Sequence, residues 1–554
     1  MAARTAADGE RPGATRRTAL ELLAMPFLLA LVVAAARLPI LTPDVWWHLA
    51  TGRLVSDTGI PSHDPFSYTL VGQRWIPHEW LADFLLYGIH ASAGLLGVVL
   101  ARGVLLGAAF AGAYAAARLA AGPVLALAVL LPAGFASQRN WLDRPQLWSY
   151  VAAAVLLWGL ERVRRRPSRA LYLLPLLFAV WVNLHGGFML GLGMLSLWTV
   201  GQLWEWRRRP SAMAAGAARR FGTVLVLCGL ATLANPNGFA GAIYPLRYVN
   251  AGLAATLQEE QPGDLDSPYA WVHFVLVVAL WLAFLLRRRA TLAEVGLGVV
   301  LGWISMPRLA GMALPFAAER HAPLFLLLGT PLLAWQLSAV LQPHETRWAA
   351  WQRQLAARRA WGVVGAITAL ASVGILAALP RDGSPDARLL PGRYPEDAAA
   401  WLRAERLPGH LINPYRWGGY LAFALYPPTQ VWIDSRGDLY GAARLREYEL
   451  LHHAPPGSDA ALRELLQRYD ANVIVWPLVT LDFGAPQVHP FTEFLLRSGE
   501  WRLVFYDRPD PRRPQRPAAV SAVFLREHPR NATWLAQHVP LRLPRLPRAA
   551  PHAR

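Results

Sequence analysis

Five titratable side chains of the kinds that move protons or bind cations lie within residues 42–80: Asp44, His48, Asp64, His78 and Glu79. Trp46, Trp47, Trp75 and Trp80 are interleaved with them. Asp44 and His48 are four residues apart, so they share one face if "DVWWHLATGRLVSD" is helical. Glu79 follows His78 and opens the pattern of a second short helix over 78–90. At such starts a carboxylate also satisfies backbone N–H groups and the helix dipole, a use that can coexist with chemistry. The tryptophans read as an aromatic belt at the membrane–water interface, although aromatic faces also suit sugar rings.

A second set is cationic. Arg139 and Arg144 flank Asp143, and Arg308, Arg320 and His321 stand at the ends of apolar runs. Guanidinium matches phosphate geometry and keeps its charge at any relevant pH. The competing use is snorkelling to lipid headgroups. His185 in "NLHGG" is a turn histidine beside two glycines, where a chain or ligand can approach the backbone closely. Glu259 and Glu260 form an adjacent acid pair, either solvated or ligating a divalent cation. A single cysteine, Cys228, excludes an intrachain disulfide.

These residues must be positioned by membrane-spanning helices. The chain of 554 residues is 54% hydrophobic and only 16% charged, against ~25% charged in ordinary soluble chains. The net charge of +18 comes wholly from arginine, because lysine is absent. The arginines fall in short runs between apolar segments, at 161–169, 205–220, 286–290 and 345–359. That is the pattern of cytoplasmic loops and argues against a nucleic-acid surface. Apolar runs are centred near 18–38, 94–120, 122–138, 144–160, 170–184, 187–204, 221–235, 271–287, 292–306, 320–341 and 360–379. The run 81–91 is too short to cross ~30 Å and reads as an interfacial helix. The expectation is a polytopic α-helical membrane protein of about eleven spans.

Its expected divisions are a cytoplasmic tail 1–17, a span domain 18–379 with a first outer loop 39–93, and a linker 380–392. A C-terminal α/β domain follows over 393–535, then a Pro/Arg-rich tail 536–554. "HLIN", "TQVWID", "NVIVWP", "WRLVFYD" and "AAVSAVFLR" read as strands, the last two as a hairpin. "YPEDAAAWLRAE" and "SDAALRELLQRY" read as helices. With the N-terminus cytoplasmic, span parity makes the C-terminal domain extracytoplasmic. The same parity puts residues 39–80, 137–146, 183–187, 235–269 and 305–321 on that outer face. Polar groups near bilayer depth are costly and line cavities, so their convergence on one side points to an outward-facing site.

The motifs "DVWWHLATGR", "DPFSYT", "HEWL", "RPQLWSY", "NLHGGF", "NPNGF", "NPYRWGGYL" and "VWIDSRGDLY" carry a resemblance over nearly the whole chain. The chain resembles the GT-C superfamily of polyprenyl-phosphate-sugar glycosyltransferases, in particular its bacterial integral-membrane members. The resemblance implies inverting transfer of a sugar from a polyprenyl-phosphate donor to a glycan, lipid or protein acceptor, on the outer face of the cytoplasmic membrane. It makes Asp44 the base and Glu79 a second acid that orients the acceptor or a divalent cation. Arg144, Arg308 and Arg320 are phosphate candidates by side and charge, not by motif identity. The family often has adjacent acids in its first loop, whereas Val45 follows Asp44 here, so a metal requirement is left open. Two other readings share the topology. One is a transporter or flippase for a lipid-linked or anionic envelope precursor. The other is a non-catalytic envelope scaffold. No convincing internal repeat is found, and the polar clusters sit at one face instead of mid-span, which disfavours transport.

Overall fold

The computed structural model describes residues 24–40, 42–246, 263–286, 290–308, 317–341, 393–480, 487–507 and 521–538, with a few single positions besides. Glu259, Glu260, the expected span 360–379 and the linker lie outside the described residues. The chain divides into two units, one of residues 1–38, 96–242 and 254–384, the other of residues 39–95, 243–253 and 385–554.

The first unit is helical. Its helices are Ala24–Arg37, the second part of Trp80–Ala117, Pro123–Ser137, Gln146–Arg165, Leu174–Leu184, Phe188–Arg208, Ala212–Ala231, Pro268–Leu286, Leu292–Ile304 and Ala322–Leu341. Among the described residues, Trp80–Ala117, Ala212–Ala231, Pro268–Leu286 and Glu319–Leu341 are long and apolar enough to cross a membrane. The other described spans expected from the sequence are present as helices but are shorter or less apolar. Phe110, Phe178, Trp181, Trp198, Phe325 and Trp335 fill the core. Helices approach closely where side chains are small: a Cβ on Gly103 would stand 2.7 Å from Val32 O.

Two buried ionic groups hold this bundle. Arg102 Nη1 donates to Asp143 Oδ2 at 2.7 Å, and its Nη2 donates to Ala35 O at 2.7 Å and to Leu38 O. Burial pushes the Asp143 carboxyl up to about 6, against the opposing pull of Arg102. In the "ERVRRRPSR" run, fully buried Glu161 accepts from Arg164 Nε at 2.7 Å and Arg165 Nε at 2.5 Å. Part of that arginine run is therefore a packed clasp rather than a solvated loop.

The second unit combines residues 39–95, expected from the sequence as a first outer loop, with the C-terminal region. Strand β1 (His410–Ile412) runs parallel to β2 (Ala471–Pro477). A short antiparallel pair, β3 (Val479–Thr480) and β4 (Gln487–Val488), stands apart. Strand β6 (Ser521–Arg526) lies antiparallel between β2 and β5 (Trp501–Tyr506), giving the order β1-β2-β6-β5. The parallel pair requires a crossover, supplied through helices Tyr415–Leu425, Gly437–His453 and Asp459–Arg468. Trp501 opposes Arg526 and Leu503 opposes Phe524, so the last two long strands do pair as a hairpin.

"TQVWID" does not join this sheet. Val431 forms a single parallel bridge with Ser67 of the first outer loop. Val431 N–H donates to Phe66 O at 2.9 Å, Tyr68 N–H to Val431 O at 3.3 Å, and the Thr69 hydroxyl to Trp432 O at 2.9 Å. These backbone groups find their partners in the loop instead of a strand ladder. Helix Tyr415–Leu425 also packs on helix Asp44–Thr58, where a Cβ on Gly419 would come within 3.2 Å of Pro43 O and Trp47 N. By packing, residues 39–95 belong with the C-terminal region and not with the span domain in which the sequence places them.

Candidate active site in the first outer loop

The site is built on two helices. Helix Asp44–Thr58 has Pro43 at its cap position, with no side-chain cap. Asp44 is its first residue, and its own N–H donates to Thr42 Oγ1 at 3.3 Å. The carboxylate therefore stands in the positive first turn without being the cap. The buried Tyr394 hydroxyl donates to Thr42 O at 3.0 Å, two residues before Asp44. The second helix, Trp80–Ala117, extends well beyond the expected 78–90 and breaks at Gly94, whose φ of 59° suits glycine. Glu79 accepts its first backbone bond, from Asp83 N–H at 3.0 Å.

Gly52 sets the distance between the helices. A Cβ there would lie 2.1 Å from Asp83 O and 2.6 Å from the Tyr87 Cβ, so only glycine permits this crossing. One turn before Gly52, His48 reaches across, with Nδ1 2.7 Å from Asp83 Oδ1. Both side chains are buried. His48 Nδ1 is also 3.9 Å from Glu79 Oε2, and His78 Nε2 is 3.6 Å from Glu79 Oε1. Glu79 is thus an acid flanked by two imidazoles, with 12% of its side chain exposed against 24% for His78. Burial holds His78 below the ordinary histidine range, opposed by the Asp438 carboxylate. The His78 ring faces that of Tyr244 at 4.6 Å, and the Tyr244 hydroxyl donates to Asp438 Oδ2 at 2.5 Å.

Asp64 has a different place. It is buried, and its Oδ1 accepts from Arg436 Nη1 at 2.6 Å while Oδ2 accepts from Ser67 N–H at 2.9 Å. Arg436 also donates Nε at 2.9 Å and Nη2 at 2.6 Å to the two oxygens of Asp434, whose Oδ2 accepts from Tyr440 as well. Its guanidinium lies over the rings of Trp75 and Phe66, 4.7 and 5.3 Å from their centres. Asp64 therefore ties the first outer loop to "SRGDLY". Trp46 and Trp75 are core residues, not belt residues, because Trp46 packs against Tyr394, Tyr420 and Phe423. The Trp47 ring covers the His48 imidazole at 3.6 Å.

The remaining expected residues lie in the first unit. Arg139 pairs with Asp266 at 2.9 Å and Glu319 at 2.7 Å, and Arg308 with Asp264 at 3.5 Å. Arg144 sits in the turn before helix Gln146–Arg165, where Leu147 N–H donates to its carbonyl. Arg320 and His321 form a 3₁₀ turn, and the His321 ring bonds Ile304 O through Nδ1 at 3.1 Å. His185 Nδ1 accepts from Gly187 N–H at 2.9 Å and lies 2.8 Å from Ser149 Oγ, which accepts from Trp181 Nε1. The histidine thus fixes its own turn.

Sequence reading missed Asp83, Tyr244, Asp438, Asp434, Arg436 and Arg102. Asp83 had a visible signal, a lone carboxylate inside the apolar run "LADFLLYGIHA". Arg102 had the same signal in "ARGVLLGAAF". Tyr244 and Asp438 had none, since their pairing spans 194 residues. Among the described residues no group of three or more His, Cys, Asp or Glu has the geometry of a metal site.

No family model matches the sequence, and no curated protein does. Solved structures are similar in fold. The archaeal oligosaccharyltransferase AglB from Archaeoglobus fulgidus, in complex with an inhibitory peptide and a dolichol-phosphate, superposes with a TM-score of 0.55 at 10% identity, over 92% of this chain and 88% of that one. The Archaeoglobus fulgidus oligosaccharyltransferase tethered with an acceptor peptide gives 0.53 at 12% identity, over 88% and 80%. The arabinofuranosyltransferase AftD from Mycobacteria gives 0.53 at 16% identity, over 92% of this chain but 40% of that longer one. The chain has the fold of the GT-C glycosyltransferases.

Proposed function

We propose that this chain transfers a sugar from a polyprenyl-phosphate donor to an acceptor hydroxyl at the outer surface of a bacterial cytoplasmic membrane. The observation that carries the proposal is the carboxylate–imidazole cluster of the first outer loop within a GT-C fold. The fold is shared with proteins whose structures hold a dolichol-phosphate or an acceptor peptide. The acceptor is a glycan, a lipid or a protein.

In the proposed reaction Asp44 takes the proton of the acceptor hydroxyl as its oxygen bonds to the anomeric carbon. The bond from that carbon to the phosphate oxygen breaks on the opposite side, so the configuration inverts and the lipid phosphate leaves with the electron pair. Glu79, between His48 and His78, orients the acceptor or a divalent cation. His185, which holds its turn, is not needed for a step.

The test is transfer from a polyprenyl-phosphate sugar in membranes containing the full chain. Asp44→Asn lowers transfer about 10²–10⁴-fold, the range for a general base, with expression and unfolding temperature unchanged. Undiminished transfer by the variant sinks Asp44 as the base.

A further inference from the structure

We infer that Tyr244, anchored by Asp438, is the positioning residue that holds His78 over Glu79. The inference rests on the reading of Glu79 as a site residue, and it assigns the "SRGDLY" segment a part in that site.

The geometry is a chain of contacts. Asp438 accepts the Tyr244 hydroxyl at 2.5 Å, the Tyr244 ring lies against the His78 ring at 4.6 Å with 32° between planes, and His78 Nε2 stands 3.6 Å from Glu79 Oε1. His78 is the most open side chain of the cluster, and its own backbone is tied by N–H donation to Ile76 O at 2.8 Å. A partly exposed imidazole on a turn has two soft torsions, so its direction depends on what its ring packs against. Tyr244 supplies that wall. The phenol is itself fixed at its far end, because burial and the adjacent carboxylate keep its hydroxyl protonated and donating. Asp438 is in turn held at the start of helix Gly437–His453, two residues beyond Arg436, which is bound to Asp64 and Asp434. The ion pairs around Arg436 are thereby connected to the direction of one imidazole beside Glu79.

The experiment is carbethoxylation by diethyl pyrocarbonate of the full chain in detergent, with the rate at His78 read by peptide mass spectrometry. The exposed His410 on strand β1 serves as the internal reference. Tyr244→Ala raises the His78 rate about tenfold by removing the wall, and Tyr244→Phe about threefold by freeing it. Asp438→Ala matches Tyr244→Phe, and the double variant Tyr244→Phe/Asp438→Ala goes no further, because both break one hydrogen bond. Asp438→Asn, which still accepts, restores the wild-type rate. A His78 rate within twofold of wild type in Tyr244→Ala overturns the inference, as does additivity in the double variant. If Tyr244→Ala also changes the His410 rate, the Tyr244→Phe and Asp438→Asn pair decides. The readout needs no sugar donor, so it stands even if the chain transfers nothing.

Discussion

His48 Nδ1 lies 2.7 Å from Asp83 Oδ1, and neither side chain is more than 3% exposed. A carboxylate–imidazole contact of this length holds one proton between the two groups and fixes the ring orientation. The pair lies beside Glu79, whose Oε2 is 3.9 Å from His48 Nδ1, and its integrity is measurable apart from any activity.

Asp83→Leu removes the 2.7 Å contact of the buried His48 nitrogen and costs about 1–3 kcal/mol. Asp83→Asn, which retains an acceptor, costs less. A double-mutant cycle with His48→Leu, followed by unfolding in detergent, returns a coupling of about 0.5–3 kcal/mol. Additive losses mean that the two residues do not share the contact.

Gly52→Ala places a methyl 2.1 Å from Asp83 O, against backbone that cannot yield as a flexible side chain would. The helices must separate, at about 1–3 kcal/mol. The same variant lengthens the His48–Asp83 contact, so the cycle above, repeated on it, shows a smaller coupling. An unchanged unfolding temperature excludes the close crossing.

Arg436→Met leaves Asp64 and Asp434 buried without their shared cation, at a cost of about 3–5 kcal/mol. The first outer loop is then released from "SRGDLY", and limited proteolysis cuts within the exposed segment 58–63. Protection of that segment in the variant argues that other contacts suffice to hold the loop.

His489 caps helix Pro490–Ser498, accepting from Phe491 N–H and Trp476 Nε1 at 3.3 Å each. Burial, with His452 and His453 adding to it, holds the imidazole down to about 3. The unfolded chain binds the proton near 6.5, so the stability contributed by neutral His489 is complete above that pH. It is lost as pH falls from about 6.5 toward 3, by up to about 1.4 kcal/mol per unit. Denaturant midpoints at pH 7.5 and 5.0 should differ less in His489→Asn, which keeps a capping oxygen without titrating. An equal drop in both proteins assigns the pH dependence elsewhere.

The helical scaffold was legible because a helix declares itself locally. Apolar runs predicted Pro123–Ser137, Pro268–Leu286 and Ala322–Leu341 to within a few residues, and "NVIVWP" and "WRLVFYD" announced β2 and β5. That each of the two helices carries an acid and a histidine near its start was also visible. Only the tertiary structure decided which of these groups meet. "TQVWID" has the composition of a strand but binds a loop, and Asp64 has the look of a site residue but locks Arg436, 372 positions away. Asp83, Tyr244 and Asp438 enter the site through contacts that no spacing encodes. Periodicity reports which face of an element is buried. It does not report what that face will be buried against, because the partner is chosen by packing and charge compensation across the folded chain.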